Sequence, residues 1–260
     1  MSDQEQAGAA SVRAPSGTMY LYKQPEYLNR EDHGNLGWRT PEKPFGFAAT
    51  INSVPVVASE ISSAQKNYPV VFSGMENPVP IAVVSLLQDR NMFVRDDGQW
   101  EPGAYVPSYL RRHPFATAVG ENDQFAIVID RASEAISEDP ETPFFNGDVV
   151  SEQTQSMIDF CGRFESERKR TKEFSDRLVE LNLLSEQQVN APGDDSKRIA
   201  SFVGVDVQKL NDISPDVLQE LHQNGFLGYI FAHLFSLENW NRLLARRSAI
   251  IAAASANDPA

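Results

Sequence analysis

Short apolar runs separated by glycine and proline dominate the stretch between residues 45 and 130. Runs of strand length occur at Phe45–Ile51, Val70–Phe72, Ile81–Leu87 and Phe125–Asp130. Such runs, bounded by the residues that interrupt regular structure, are typical of strands in a sheet. Their close spacing along the chain predicts a mixed, mainly antiparallel sheet with short helices in this half of the chain.

One turn in this stretch has the composition of a β-hairpin. Asn91–Arg95 and Gln99-Trp100 flank an Asp97-Gly98 pair. An Asp-Gly pair supplies the positive φ that a tight hairpin turn requires. We therefore expect Gly98 to occupy the tightest turn of the sheet.

Two short helices are expected between the strands. Ser59–Tyr68 begins with a residue that caps helices and is followed by Pro69. Pro107–Arg112 begins with a proline, which suits a first helical turn, and ends before Pro114.

The pattern changes after Asn146-Gly147-Asp148, where apolar residues recur at helical spacing. This spacing predicts helices over Ser151–Leu184 and from Ser214 to about Arg247, with a final strand near Phe202–Leu210. The fold class expected is therefore α+β, with the sheet followed by a helical C-terminal half. The expected segments are a mobile or extended N-terminal arm (1–44), a β-rich α+β unit (45–150), a helical unit packed on it (151–247) and a frayed tail (248–260).

Glycine is also expected to divide the last helical region. His222, Tyr229, His233 and Trp240 would form one polar-aromatic stripe on a continuous helix. Asn224-Gly225 favours a break instead, because glycine commonly ends helices. With that break, the two histidines are expected to flank the core, each with an ordinary hydrogen-bond partner.

The formal net charge is −13, and all of it falls within the first 195 residues. Nucleic-acid binding needs clustered lysine and arginine, so we do not expect a nucleic-acid partner. The acidity favours solubility, with an acidic docking face as the alternative.

The single cysteine, Cys161, excludes an internal disulfide and lies between Phe160 and Phe164. This apolar setting predicts a packed thiol rather than a nucleophile. The most apolar long stretch, Phe226–Leu244, contains His233, Glu238 and other polar residues, which argues against a membrane span. No secretory signal is visible at the N-terminus, so the expected location is cytoplasmic.

The densest chemical cluster in the sequence is Arg111-Arg112-His113, flanked by Tyr105 and Tyr109. Three potential cations beside aromatic rings could hold a carboxylate or phosphate, and these five residues form the candidate binding site. The alternative is structural. The cations would then offset a helix dipole or pair with Glu60 or with residues 121–123.

Several segments together resemble the SapC family of bacterial proteins. They span roughly residues 45–245 and include Tyr68–Phe72, Asn91–Val94, Tyr105–Phe115, Phe144–Gly147 and Ala232–Asn239. The family takes its name from a surface-layer association. Its members also occur beside flavin-dependent halogenase-like and outer-membrane receptor genes, which implies an accessory role. The resemblance implies no catalytic residue.

The motifs of common enzyme classes are missing from the sequence. It contains no glycine-rich phosphate loop, HExxH, GxSxG or cysteine pair, and no cofactor or metal is expected. The function expected is that of a non-enzymatic accessory or binding protein that engages a protein or peptide partner, with a link to a flavin-dependent halogenase-like system. The alternatives are a small-molecule binder or enzyme with an unfamiliar site around Arg111, Arg112 and His113, and a surface-layer component.

Overall fold

The computed structural model describes residues 14–15, 17–119, 125–191 and 194–256. The fold is α+β, as the sequence predicts: antiparallel sheets and short helices are followed by a long helical C-terminal region. Across these residues the strands, in chain order, are β1 (Pro25–Tyr27), β2 (Gly37–Trp38), β3 (Ser53–Pro55), β4 (Val70–Phe72), β5 (Pro80–Val83), β6 (Phe115–Val119), β7 (Phe125–Asp130), β8 (Ile136–Ser137), β9 (Thr142–Pro143), β10 (Phe145–Asn146), β11 (Val149–Val150), β12 (Leu184–Ala191) and β13 (Asp194–Val205). The helices are α1 (Arg30–His33), α2 (Ile61–Ala64), α3 (Ser108–Arg111), α4 (Glu152–Glu180), α5 (Val207–Asn211), α6 (Pro215–Gln223), α7 (Phe226–Ser236) and α8 (Asn239–Ala256).

The chain forms two compact units, and each is built from two separate stretches of sequence. Unit 1 comprises Met1–Pro41 and Arg112–Gly162, and unit 2 comprises Glu42–Arg111 and Arg163–Ala260.

Unit 1 contains a three-stranded antiparallel sheet in the order β1-β7-β6. Strand β7 coincides with the predicted run Phe125–Asp130 and pairs antiparallel with β6. Short strands add a β8-β2-β9 sheet and a β10–β11 hairpin. Its main core cluster consists of Leu36, Phe115, Ile129, Ile136, Phe144 and Cys161.

The stretch expected to be an extended arm supplies regular structure to unit 1. It contains β1, α1 and β2, and its Trp38 ring stacks on Phe115 with centroids 4.7 Å apart. His33 is buried, and its Nε2 lies 3.1 Å from a carboxylate oxygen of Glu26. The strand pairing and the Trp38–Phe115 stacking join residues far apart in the sequence, which is why the local sequence pattern did not indicate them. Residues 1–13 and 16 lie outside the described part of the chain.

Unit 2 contains a five-stranded antiparallel sheet in the order β12-β13-β4-β5-β3. Val70 pairs with Ala82 in the sheet, and Phe72 pairs with Val203. The sequence pattern predicted a final strand near Phe202–Leu210, but β13 ends at Val205 and Val207–Asn211 form α5, while β12 was not predicted. Polar residues dominate β12, so it carries no alternating hydrophobic signal.

The Asp97-Gly98 turn forms as expected, but the residues that flank it belong to no strand of the five-stranded sheet, so its expected place within the sheet is wrong. Gly98 has φ +72°, and its N–H donates to the carbonyl oxygen of Arg95 at 2.8 Å. Val94 and Trp100 form an isolated antiparallel bridge on either side of the turn.

The break in the C-terminal helical region is also confirmed. Gly225 has φ +82° and separates α6 from α7. Ser214 caps α6, with its side chain accepting from the N–H of Val217. Helix α8 continues to Ala256, through most of the segment expected to be a frayed tail.

His233 fixes α7 to the sheet of unit 2. Its Nδ1 donates to the carbonyl oxygen of Val70 at 2.7 Å, and its Nε2 accepts from the N–H of Val205 at 3.0 Å. Burial lowers the pKa of His233 to about 4, although the bond to Val70 acts in the opposite direction. The expected core position is therefore confirmed for His233, whereas it is wrong for His222, which is exposed.

Candidate functional site

The five residues of the predicted cluster belong to two different units. Tyr105, Tyr109 and Arg111 lie in unit 2, and the chain enters unit 1 at Arg112. The cluster therefore divides into two groups, each with its own contacts.

In unit 2 the group is organised around the buried carboxylate of Glu60. One oxygen, Oε1, accepts from the Tyr105 hydroxyl at 2.6 Å and from the N–H of Ser108 at 2.7 Å. The other oxygen accepts from the N–H of Val57 at 3.2 Å. Glu60 thereby ties the first turn of α3 to the chain before α2.

Arg111 lies at the edge of this group, with 45% of its side chain exposed. Its Nη2 donates to the Ser108 Oγ at 2.8 Å and to the Tyr105 hydroxyl at 3.2 Å. The same nitrogen lies 3.8 Å from Glu60 Oε1. Arg111 therefore approaches Glu60, one of the partners suggested for the cluster in its structural alternative. The other suggested partners, residues 121–123, lie outside the described residues.

Tyr105 also connects this group to a buried pair of aromatic residues. Its carbonyl oxygen accepts from the Tyr68 hydroxyl at 2.5 Å, and that hydroxyl accepts from Trp100 Nε1 at 3.0 Å. Burial, followed by the contact with Glu60, raises the pKa of Tyr105 to about 12. The Tyr109 ring meets Phe164 edge-on at 6.2 Å. Burial also raises the pKa of Tyr68, so the phenols of Tyr68 and Tyr105 are both protonated hydrogen-bond donors at neutral pH.

In unit 1 the group consists of Arg112 and His113 beside Tyr22. Arg112 is buried, and its guanidinium carbon lies 6.0 Å from the centre of the Tyr22 ring. The His113 side chain is also buried, with only 5% of it exposed to solvent. Its ring centroid lies 5.3 Å from that of Tyr22. The Tyr22 hydroxyl donates to the carbonyl oxygen of Phe115 at 2.6 Å.

His113 faces the buried carboxylate of Asp130. Its Nε2 lies 3.4 Å from Asp130 Oδ2. The other Asp130 oxygen accepts from the N–H of Gln24 at 2.8 Å. Desolvation raises the pKa of Asp130, but the hydrogen bonds from His113, Gln24 and Lys23 outweigh it and hold the pKa below its usual value. Asp130 is therefore ionised at neutral pH, and it anchors the chain segment that precedes β1.

Cys161 lies within the apolar core cluster of unit 1. Burial raises the pKa of its thiol to about 11, although the charge of Arg112 acts in the opposite direction. A thiol with a raised pKa carries little thiolate at neutral pH, so it is a poor nucleophile.

Sequence reasoning missed an exposed aromatic pair on α7. Phe231 and Phe235 are 44% and 62% exposed, and their rings stack with centroids 6.2 Å apart. Leu227 and Leu234 lie half-buried on the same helix face. We call these four residues the α7 stripe. The sequence of α7 is apolar on all sides, which is typical of a fully buried helix, yet only one side of it is covered in unit 2.

Sequence reasoning also missed an open groove in unit 2. It has a volume of about 600 Å³ and lies between α8 and residues 90–97. An adjoining hollow of about 390 Å³ shares part of this lining and reaches Lys43. Neither hollow is lined by any residue of the predicted cluster. Residues from three distant segments of sequence meet here, so no local pattern could indicate it.

The residues that the structure describes contain no group of three or more histidine, cysteine, aspartate or glutamate residues placed to hold a metal ion. None of their helices combines the length and the apolarity that crossing a membrane requires.

Comparison with known proteins supports the resemblance seen in the sequence. Neither the curated proteins nor the solved structures gave a match. The family model for SapC matches residues 28–243, which is well over half of the chain. The chain therefore belongs to the SapC family.

Proposed function

We propose that this SapC-family protein is a non-enzymatic binding protein that engages a protein or peptide partner through the α7 stripe. The observation that carries the proposal is the stacked, exposed pair of Phe231 and Phe235. A single exposed apolar residue is ordinary on a protein surface. Two exposed rings flanked by Leu227 and Leu234 on one helix face form a continuous apolar patch, which is typical of an interaction site.

The backing of the stripe is rigid, which suits a docking surface. On the opposite side of α7, Ile230, His233 and Ser236 are buried. The Ser236 hydroxyl accepts from the N–H of Val70 at 2.9 Å, beside the two hydrogen bonds of His233. Because the helix is already ordered, binding a partner at its outer side chains does not incur the entropic cost of ordering the helix.

The charge of the chain suggests the chemistry of the partner. The exposed carboxylate of Glu238 follows the stripe by three residues, and the first 195 residues of the chain add a long-range negative charge of −13. A partner segment with apolar side chains and flanking lysine or arginine would complement both features. The same charge disfavours nucleic acid as a partner. We therefore propose a basic, amphipathic peptide segment as the occupant.

The resemblance to the family suggests where to look for such a segment. Flavin-dependent halogenase-like proteins are the first candidates, since the resemblance implies an accessory role beside them. The cytoplasm is the compartment we propose, because the chain carries one cysteine and no disulfide.

The alternative of a small-molecule site at Arg111, Arg112 and His113 has less support. Arg112 and His113 are buried beside Tyr22, and Arg111 is engaged with Ser108 and Tyr105. These contacts favour a structural role for the cluster.

A phage-displayed library of random peptides tests the proposal with a defined probe. We expect the full chain to select peptides that combine apolar side chains with lysine or arginine. The double variant Phe231→Ser, Phe235→Ser should bind the selected peptides with an affinity lowered by about tenfold or more, because aromatic side chains that become buried in an interface dominate the binding energy. The matched control is Ile251→Ser, which replaces an exposed apolar residue of α8 in the same unit.

Three outcomes would count against the proposal. Selected peptides that bind the double variant as well as they bind the original chain would show that the stripe is not the docking site. A library that yields no binder would remove the peptide partner. A dimer that becomes monomeric in the double variant, measured by light scattering, would make a second copy of this chain the occupant instead.

A further inference from the structure

The open groove of unit 2 combines a cluster of cations with an apolar wall. We call it the arginine groove, and define it by the linings of the two adjoining hollows. Its basic residues are Lys43, Arg90, Arg95 and Arg246, and its acidic residues are Asp96 and Asp97. Four cations against two carboxylates is an unusual local excess in a chain whose net charge is −13.

Two of these cations are already engaged within the unit. Arg95 forms a 2.9 Å ion pair with Asp97. Arg246 pairs with Glu101 at 2.5 Å, donates to the carbonyl oxygen of Met92 at 2.7 Å and lies over the Phe93 ring. Arg246 is thereby held in one position at the edge of the groove.

The other two cations have no such role. Arg90 and Lys43 are exposed and form no ion pair with any residue that the structure describes. Packing within the unit does not require their charge. They are therefore available to an anion that enters the groove from solvent.

The apolar wall comes from α8 and the strand-like segment beside it. Arg246, Ala249, Ile250 and Ala253 recur at helical spacing, so they lie on one face of the helix. Val94 lines both hollows. A ligand that satisfies this lining carries a negative head and an apolar body.

We infer that the arginine groove binds a small amphipathic anion, with a carboxylate or phosphate head at Arg90 and Lys43 and an apolar body along Ile250 and Ala253. Arginine holds either head through paired N–H donors. A volume of about 600 Å³ lies within the range of small-molecule sites. The α7 stripe takes no part in this site, so the inference does not depend on the proposed peptide partner.

Calorimetric titration of the full chain with four probes tests the inference. Octanoate and octyl phosphate carry both the head and the body, whereas acetate lacks the body and octan-1-ol lacks the charge. We expect at least one of the two amphipathic anions to bind about tenfold more tightly than acetate and octan-1-ol. The stronger of the two identifies the head group.

Two pairs of variants locate the binding. Arg90→Gln should lower the affinity for the anion by about fivefold or more. Arg163→Gln, which removes an exposed arginine outside the groove, should leave the affinity unchanged. Ala253→Glu should also lower the affinity, because the new carboxylate repels the anion. Ala252→Glu adds the same charge outside the lining and should leave the affinity unchanged. All four positions are exposed, so the variants should fold, as circular dichroism will check.

The inference is wrong if octan-1-ol binds as tightly as both anions, since the cations would then contribute nothing. It is equally wrong if neither anion binds at millimolar concentration. Unchanged binding in both Arg90→Gln and Ala253→Glu would place the anion elsewhere and would also overturn it.

Discussion

The hydroxyl of Tyr105 donates a 2.6 Å hydrogen bond to the buried carboxylate of Glu60. The same carboxylate oxygen accepts from the N–H of Ser108. The raised pKa of Tyr105, about 12, keeps the proton on the phenol across the physiological range. Glu60 is therefore an acceptor that organises the start of α3, and this arrangement leads to the first prediction.

Glu60→Gln should destabilise the protein by about 1–3 kcal/mol, because an amide replaces a charged acceptor of buried donors. Urea unfolding followed by circular dichroism measures the change. The control is Glu76→Gln, which removes a carboxylate from an exposed position of the same unit and should change stability little. Equal stabilities for the two variants would contradict the structural role of Glu60.

Arg111 and Arg112 should behave differently although they are adjacent in the sequence. Arg112→Ala removes a buried cation beside the Tyr22 ring and should cost about 2 kcal/mol. Arg111→Ala removes a half-exposed side chain and should cost no more than about 1 kcal/mol. The measurement is the unfolding free energy of each single variant. A larger cost for Arg111→Ala would reverse the assignment.

Gly98→Ala should destabilise unit 2 by about 1 kcal/mol or more, since φ at this position is +72°. An added Cβ would also lie only 2.5 Å from the Cα of Lys43. Gly74→Ala is the matched control, because its φ is not in the left-handed region and no atom lies within 4 Å of an added Cβ. Melting temperatures that fall equally in both variants would show that the turn is not the cause.

His233 should make the stability of unit 2 depend on pH. Its pKa is about 4 in the folded chain against an ordinary value of 6.5, so folding favours the neutral ring. The stability it contributes is therefore complete above pH 6.5 and is lost as the pH falls from 6.5 to 4.

An NMR titration of the histidine ring protons measures this pKa directly. His233→Gln identifies the His233 signal, and the exposed His222 provides an internal comparison in the same spectrum. A His233 signal that titrates near pH 6.5 while the protein remains folded would contradict the burial argument.

The local sequence predicted those parts of the fold that depend on short-range chemistry. The Gly98 turn and the Gly225 break follow from the freedom of glycine to adopt positive φ. The α6 start follows from the capping by Ser214. In contrast, β12 was missed because its strand pairing depends on β13 and on polar side chains rather than on apolar alternation.

The side-chain surroundings of the candidate site follow less directly from the sequence than the fold does. The sequence indicated Arg111, Arg112 and His113 because they are adjacent. Adjacency does not show that Arg112 and His113 are buried beside Tyr22, which depends on the tertiary fold. The arginine groove joins residues near 43, 90 and 250, and such a meeting arises only from the tertiary fold. The α7 stripe was visible as sequence, but which side of an all-apolar helix stays uncovered was not.

The order of strands in the two units has a consequence for synthesis on the ribosome. The strands that the structure describes in unit 1 have all been made by residue 150, whereas β4 of unit 2 pairs with β13, which is made only when the chain reaches Asp194–Val205. A nascent chain that has emerged as far as Glu180 can thus pair every strand of unit 1 while one edge of β4 is still open. Open strand edges are prone to incorrect pairing. This SapC-family chain therefore has an interval during translation in which the edge of β4 waits for a partner more than a hundred residues away.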